Sequence, residues 1–179
     1  MRIKKGTTRV AIIFDRVGIT VKLPRIYFAR AWEQFRYYKK TDGSYWAGIR
    51  LELVSYTADT LDTAKFFLFK GMKDNWREFV FYLKNKPRIC APTYFSLFGL
   101  INFQKTGRAL SEPEEIKLFE RLDQLLNEGR AEDPHTFINP KNYCFFGQMI
   151  KAVDYGNPDI QKALVGCETK IGAVFENTK

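Results

Sequence analysis

The sequence predicts an α+β protein, and three observations carry that expectation. Two β-rich apolar runs, Val10 to Phe14 and Ile19 to Leu23, flank Arg16-Val17-Gly18 as the arms of a hairpin would. Tyr27 to Lys40 and the stretch after Ser111 carry apolar residues at helical spacing. A second apolar pair, around Gly147-Gln148, reads as another hairpin. The order is strands, helices, a central hairpin-like pair, a longer helix and a last hairpin, which fits a small sheet lobe beside a reduced helical lobe.

Taken in order, Pro24 ends the second strand and suits the first turn of a helix. In the helix that follows, Phe28, Ala31, Trp32, Phe35 and Tyr38 share one face, while Arg30, Arg36, Lys39 and Lys40 project elsewhere. Thr41-Asp42-Gly43-Ser44 is a turn, and 45–72 is ambiguous between strand and helix. Asn75 followed by Glu78 has capping-box spacing, predicting a short helix to about Lys84 before Pro87. Ile89 to Phe95 and Leu100 to Lys105 read as strands around Ser96 to Gly99. Ser111 and Glu114 form another capping box, opening a helix that buries Ile116, Phe119, Leu122, Leu125 and Leu126 and stops near Gly129.

Composition narrows the function classes. With 45% hydrophobic residues among 179 positions, the chain can bury a core. Cys90, Cys144 and Cys167 lie far apart with no paired-ligand spacing, which fits reduced thiols of a cytosolic protein rather than a disulfide framework or a zinc site. No segment is long enough to span a bilayer, and Val10 to Phe14 is too short for a signal sequence, so a cytoplasmic protein without a membrane partner is expected.

The charge is lopsided. Residues 1–50 hold twelve Lys and Arg against Asp15, Glu33 and Asp42, which accounts for the whole net charge of +9. Such a front end attracts polyanions: nucleic acid, nucleotide phosphates or an acidic protein.

The last hairpin carries the chemistry. If Gly147-Gln148 is a type II′ turn, Phe146 faces Met149, Cys144 faces Lys151 and Asn142 faces Val153. Asn142 and Asp154 then share the open end, where an amide oxygen and a carboxylate suit a magnesium ion on a phosphate. The alternative is turn chemistry, with Asn142 closing the turn after Pro140 and Asp154 opening Asp-Tyr-Gly.

His135-Thr-Phe-Ile-Asn-Pro140-Lys-Asn142, a short hairpin and Asp154-Tyr155-Gly156 together resemble the catalytic-loop and metal-binding segments of protein-kinase-like folds. Ile19-Thr-Val-Lys22 resembles the strand whose lysine grips the nucleotide phosphates, and Asn75-Trp-Arg-Glu78 the helix whose glutamate pairs with it. Ala91-Pro92-Thr93 to Gln104 resembles the last sheet strands before the hinge. The layout is similar to that of small degenerate kinase-like proteins of bacteriophages and mobile elements.

The resemblance implies one domain over 1–179. Its sheet-rich lobe covers 1–105, with an insertion at about 25–73, and its reduced helical lobe covers 106–179. It also implies ATP and Mg²⁺ as ligands, with Lys22 and Glu78 serving the nucleotide and Asn142 and Asp154 serving the metal.

The departures are chemical. The position of the proton-accepting aspartate, two residues after His135, holds Phe137, which accepts no proton. Asp133 is the remaining candidate acid nearby. No Gly-x-Gly-x-x-Gly loop precedes Lys22, and few residues follow Gly156. These features together point to a pseudokinase that acts by binding, or at most to a weak ATP-dependent phosphotransferase.

The alternative is a non-enzymatic interaction protein, such as a phage host-takeover or counter-defence factor. Arg30, Arg36, Lys39 and Lys40, interleaved with rings such as Trp32, would engage nucleic acid or an acidic host protein.

Overall fold

Strand pairing begins earlier than the hydrophobic pattern suggests. The structure, a computed structural model, describes residues 1–41, 60–127, 137–166 and 171. Its first strand, β1 (Arg2–Lys5), is a basic edge strand exposed along its length, and it pairs with β2 (Arg9–Phe14). With polar residues on both faces it carries no alternation, so hydrophobic periodicity cannot reveal it.

The first predicted hairpin is present. β2 returns as β3 (Ile19–Pro24) in a register that pairs Phe14 with Ile19 and Ala11 with Lys22. β4 (Thr93–Leu97) and β5 (Ile101–Lys105) complete an antiparallel five-stranded sheet ordered β1-β2-β3-β5-β4. The strand expected from Ile89 starts later, because residues 89–91 turn toward the second sheet: the Ala152 N–H donates to Ile89 O and the Ala91 N–H to Ala152 O.

α1 (Phe28–Thr41) forms where expected, and the described part of its predicted apolar face is only partly buried; the side chains of Phe35 and Tyr38 lie outside the described residues. Ala31 is buried, whereas Phe28 and Trp32 stand 70% and 59% exposed. α2 (Thr60–Asn85) corrects the expectation of a short helix beginning at Asn75. Asn75 and Glu78 lie well inside α2, so no free helix end exists for them to cap. The Asn75 amide instead donates to the carbonyls of Lys22 and Gly99. Residues 42–59, which hold the Thr41–Ser44 turn beyond Thr41 and part of the ambiguous stretch, lie outside the described residues.

The two halves of the chain bury different chemistry. Inward-facing Arg9, Thr20, Lys22, Thr93, Ser96, Asn102 and Gln104 of the sheet meet Asp74, Asn75 and Glu78 of α2, giving an interface lined by polar groups. The hydrophobic core lies below it. It is formed by α3 (Glu112–Asn127), a second sheet of β6 (Arg108–Ala109), β7 (Tyr143–Phe146) and β8 (Met149–Ala152), and α4 (Pro158–Gly166).

On α3 the buried stripe is Leu118, Leu122 and Leu125, while Ile116 and Phe119 face outward at 56% and 43% exposure. Leu122 and Leu125 are buried as predicted, whereas Leu118 takes the inward place expected of Ile116 and Phe119; side chains at i, i+4 and i+7 share the observed face. The side chain of Leu126 falls outside the described residues. The capping box is present, with the Ser111 N–H donating to Glu114 Oε2 at 2.7 Å.

Candidate functional site

Period-two alternation places Ala11 opposite Lys22 and sends Arg9, Ile13, Thr20 and Lys22 to the same face of the sheet, toward α2. On α2, Asp74, Asn75 and Glu78 lie one turn apart and look back at that face.

Lys22 Nζ meets Glu78 Oε2 at 2.8 Å, with both side chains buried. The same ammonium donates to the Val153 carbonyl. Glu78 Oε1 takes the Arg9 guanidinium at 2.7 Å and the Tyr155 N–H at 3.1 Å. The Arg9 fork also reaches Asp154 Oδ1 and, at 3.3 Å, Asn75 Oδ1. Lys70 pairs with Asp74 at 2.6 Å beside them.

A carboxylate without solvent exposure survives only when its lone pairs are occupied. Donors from the first hairpin, from β3 and from the segment after β8 satisfy Glu78 here. The side chain of Asp154 is 45% exposed and marks where the cluster opens to solvent. The Asn102 amide donates to the Asn75 carbonyl, but its Oδ1 is buried without a partner among the described residues.

The electrostatics follow from burial and neighbours. Burial lowers the Lys22 pKa, and the like charge of Arg9 adds to that, so the net direction is downward despite Glu78. Burial also opposes the Arg9 charge, yet Asp154 and Glu78 outweigh it and bind its proton more firmly. For Asp154, burial would raise the carboxyl pKa, but Arg9 and then Lys22 hold it below its ordinary value. Burial, followed by the Glu78 charge, raises the Tyr155 phenol well above its usual range.

The last hairpin keeps its predicted register. Phe146 pairs with Met149 and Cys144 with Lys151, and Gly147 adopts the positive φ (65°) that the turn requires. Asn142 ends a 3₁₀ turn, Pro140–Asn142, and its carbonyl accepts from the Val153 N–H at 2.7 Å, one residue before Asp154. Gly156 is a close approach: a Cβ there would lie 2.7 Å from the Cβ of Asp74.

Thus Lys22, Glu78 and Asp154 come together. Asn142 sits at the hairpin end beside them. Phe137 is fully buried in the hydrophobic core, with its carbonyl accepting from the Tyr143 hydroxyl at 2.9 Å. His135 and Asp133 lie outside the described residues. Arg30 and Arg36 are exposed on α1, and the side chains of Lys39 and Lys40 are outside the described residues.

Arg9 was missed by sequence reasoning. The signal was present: a guanidinium two and four residues before Ala11 and Ile13 shares the parity of inward positions. It was counted instead with the general basic surplus.

The cluster fits a magnesium ion poorly. Such an ion binds through one or two carboxylates plus phosphate oxygens. Here Arg9 already engages the Asp154 carboxylate, and Lys22 stands on the other side of Glu78. Among the described residues no group of three or more His, Cys, Asp and Glu side chains is placed to hold a metal, and no described helix is long and apolar enough to cross a membrane. Comparison with known proteins finds no family model, curated protein or solved structure that matches the chain.

Proposed function

We propose that the protein is a kinase-like nucleotide-binding pseudoenzyme, whose cleft receives phosphates and whose output is conformational rather than phosphoryl transfer. The observation that carries this reading is the buried Lys22–Glu78 pair at 2.8 Å, between β3 and α2, beside Asp154 of Asp-Tyr-Gly. A carboxylate in that position keeps the lysine charged and aimed. Lys22 places two donors on Glu78 and Val153, and in this reading its third N–H serves a phosphate oxygen. Burial of Phe137 supports binding over transfer, because no acid occupies that position.

The test is a melting-temperature measurement with millimolar ATP, with and without Mg²⁺. A ligand at a hundred times its Kd adds about 2.7 kcal/mol of stability. A rise that Lys22→Met removes, with far-UV circular dichroism unchanged, is expected. No rise in either condition ends the nucleotide reading.

A second reading draws on α1, where Phe28 and Trp32 are exposed on the helix that carries Arg30 and Arg36. Rings among cations suit stacking on single-stranded nucleic acid or an acidic protein face. This reading expects salt-sensitive oligonucleotide binding, weakened by Arg36→Glu with Lys40→Glu. Binding indifferent to both salt and charge reversal would remove it.

A further inference from the structure

Two carboxylates, Glu78 and Asp154, converge on one point, and a positive group has to stand between them. In a metal-dependent phosphate site a divalent ion has that task. In this protein a side chain occupies the position: one Arg9 nitrogen meets Glu78 at 2.7 Å and the other meets Asp154. We infer that the Arg9 guanidinium permanently takes the place of the divalent cation, so that the cleft accepts nucleotide phosphate without a metal. The second half of this inference rests on the nucleotide reading above; the first half stands on the geometry of Arg9 alone.

Arg9 is held by its backbone as well as by its charge. It follows the Gly6-Thr7-Thr8 turn, which closes through the Gly6 N–H donating to the Arg9 carbonyl at 2.8 Å. On the other side it pairs across the sheet with Pro24, and the Arg25 N–H donates to Thr8 O at 2.8 Å. The side chain, anchored at the first turn of the sheet, runs inward and leaves Arg9 8% exposed. It is thus a fixed part of the interface, unlike a surface arginine that happens to fall on an acid.

Its chemistry suits the task. A guanidinium is planar and always charged, and its fork can serve two carboxylates at once. A lysine ammonium offers no comparable fork. Arg9 also donates to Asn75 Oδ1 at 3.3 Å, which fixes the plane of the fork against α2.

The charge balance points the same way. Arg9, Lys22 and Lys70 are paired with Glu78, Asp154 and Asp74. Without Arg9 the cluster would carry surplus negative charge and repel a phosphate. With Arg9 it is balanced, and an added divalent cation would meet Arg9 on the Asp154 carboxylate and Lys22 beyond it. A metal gains little where its counter-charge is already spent on a buried arginine. The exposed side of Asp154 then faces solvent with its charge compensated, so an incoming phosphate is not turned away.

The experiment has a metal arm and a nucleotide arm. In the metal arm, Mn²⁺ alone is titrated against the nucleotide-free protein and followed by water-proton relaxation. Wild type is expected to show no site at millimolar Mn²⁺, and Arg9→Met to gain one that the added change Asp154→Asn removes. Wild-type Mn²⁺ binding that Asp154→Asn abolishes would overturn the inference without any need for the Arg9 variant to fold.

In the nucleotide arm, ATP binding to wild type is measured by calorimetry in EDTA and in MgCl₂. Dissociation constants within about twofold of each other are expected. Binding at least tenfold tighter with Mg²⁺ overturns the inference and leaves the nucleotide reading intact. No ATP binding in either buffer overturns the nucleotide reading and the metal-free phosphate with it, and the Mn²⁺ titration then decides the place of Arg9 by itself.

Discussion

Lys22 and Glu78 are 56 positions apart in the chain, yet they meet at 2.8 Å with both side chains buried. The pair is asymmetric in its dependence. Glu78 also holds Arg9, whereas Lys22 has Glu78 as its carboxylate partner. Glu78→Gln therefore strands the buried Lys22 and leaves Arg9 with Asp154 alone, at a cost of about 3–5 kcal/mol. Lys22→Met leaves Arg9 on Glu78 and should cost less. Urea unfolding midpoints of the two variants check the order, and equal losses would contradict it.

Tyr155 has a structural use for the hydroxyl that a phenylalanine in its place would lack. Its O–H donates to the Ala91 carbonyl at 2.6 Å and lies 2.7 Å from Thr93 Oγ1, tying the segment after β8 to the first residue of β4. Tyr155→Phe leaves buried acceptors unmet and should destabilise by roughly 1–3 kcal/mol. A thermal scan with no loss would show that water or rearrangement replaces the bond.

Gly156→Ala should be among the most damaging small substitutions. The added methyl would lie 2.8 Å from the Asp74 carbonyl oxygen and 2.7 Å from its Cβ, on a helix backbone that cannot yield cheaply. Overpacking of this kind costs about 1–3 kcal/mol. The loss should appear together with weaker Lys70–Asp74 pairing, read from the unfolding free energies of Gly156→Ala with and without Lys70→Met.

The α3 capping box gives a signed pH dependence. Hydrogen bonds from Arg108 and the Ser111 N–H lower the Glu114 carboxyl to about 2 from an ordinary 4.5. A depressed acid contributes stability above its unfolded value, lost as pH falls through the folded one. Glu114→Ala should therefore cost about 1 kcal/mol at neutral pH, and the gap to wild type should close between pH 4.5 and 2. Urea melts at pH 7 and pH 2 check this; a gap that persists at pH 2 would contradict it.

Much of the local structure was legible because it depends on neighbours in the chain. The β2–β3 hairpin, the Ser111–Glu114 cap and the β7–β8 register all follow from short-range pattern and turn chemistry. What pattern missed is tertiary. Asn75 has the spacing of a cap, but its amide is used by β3 and the β4–β5 turn instead. Arg9 finds Asp154 across 145 positions, a distance at which residue type alone names no partner. The exposed Phe28 and Trp32 show the same limit, since helical spacing gives a face but not whether anything covers all of it.

Phe137 bears on whether an acid could serve at the position that the kinase-like resemblance reserves for one. It belongs, fully buried, to the same hydrophobic cluster as Leu118, Leu122, Tyr143 and Tyr155, so its side chain is part of the core. An aspartate exchanged for it would forfeit about 3–5 kcal/mol of ring burial and would sit protonated in apolar surroundings. Proton acceptance at this position is closed to repair by one exchanged side chain: the backbone around residue 137 would have to turn first, and the core would have to find another ring.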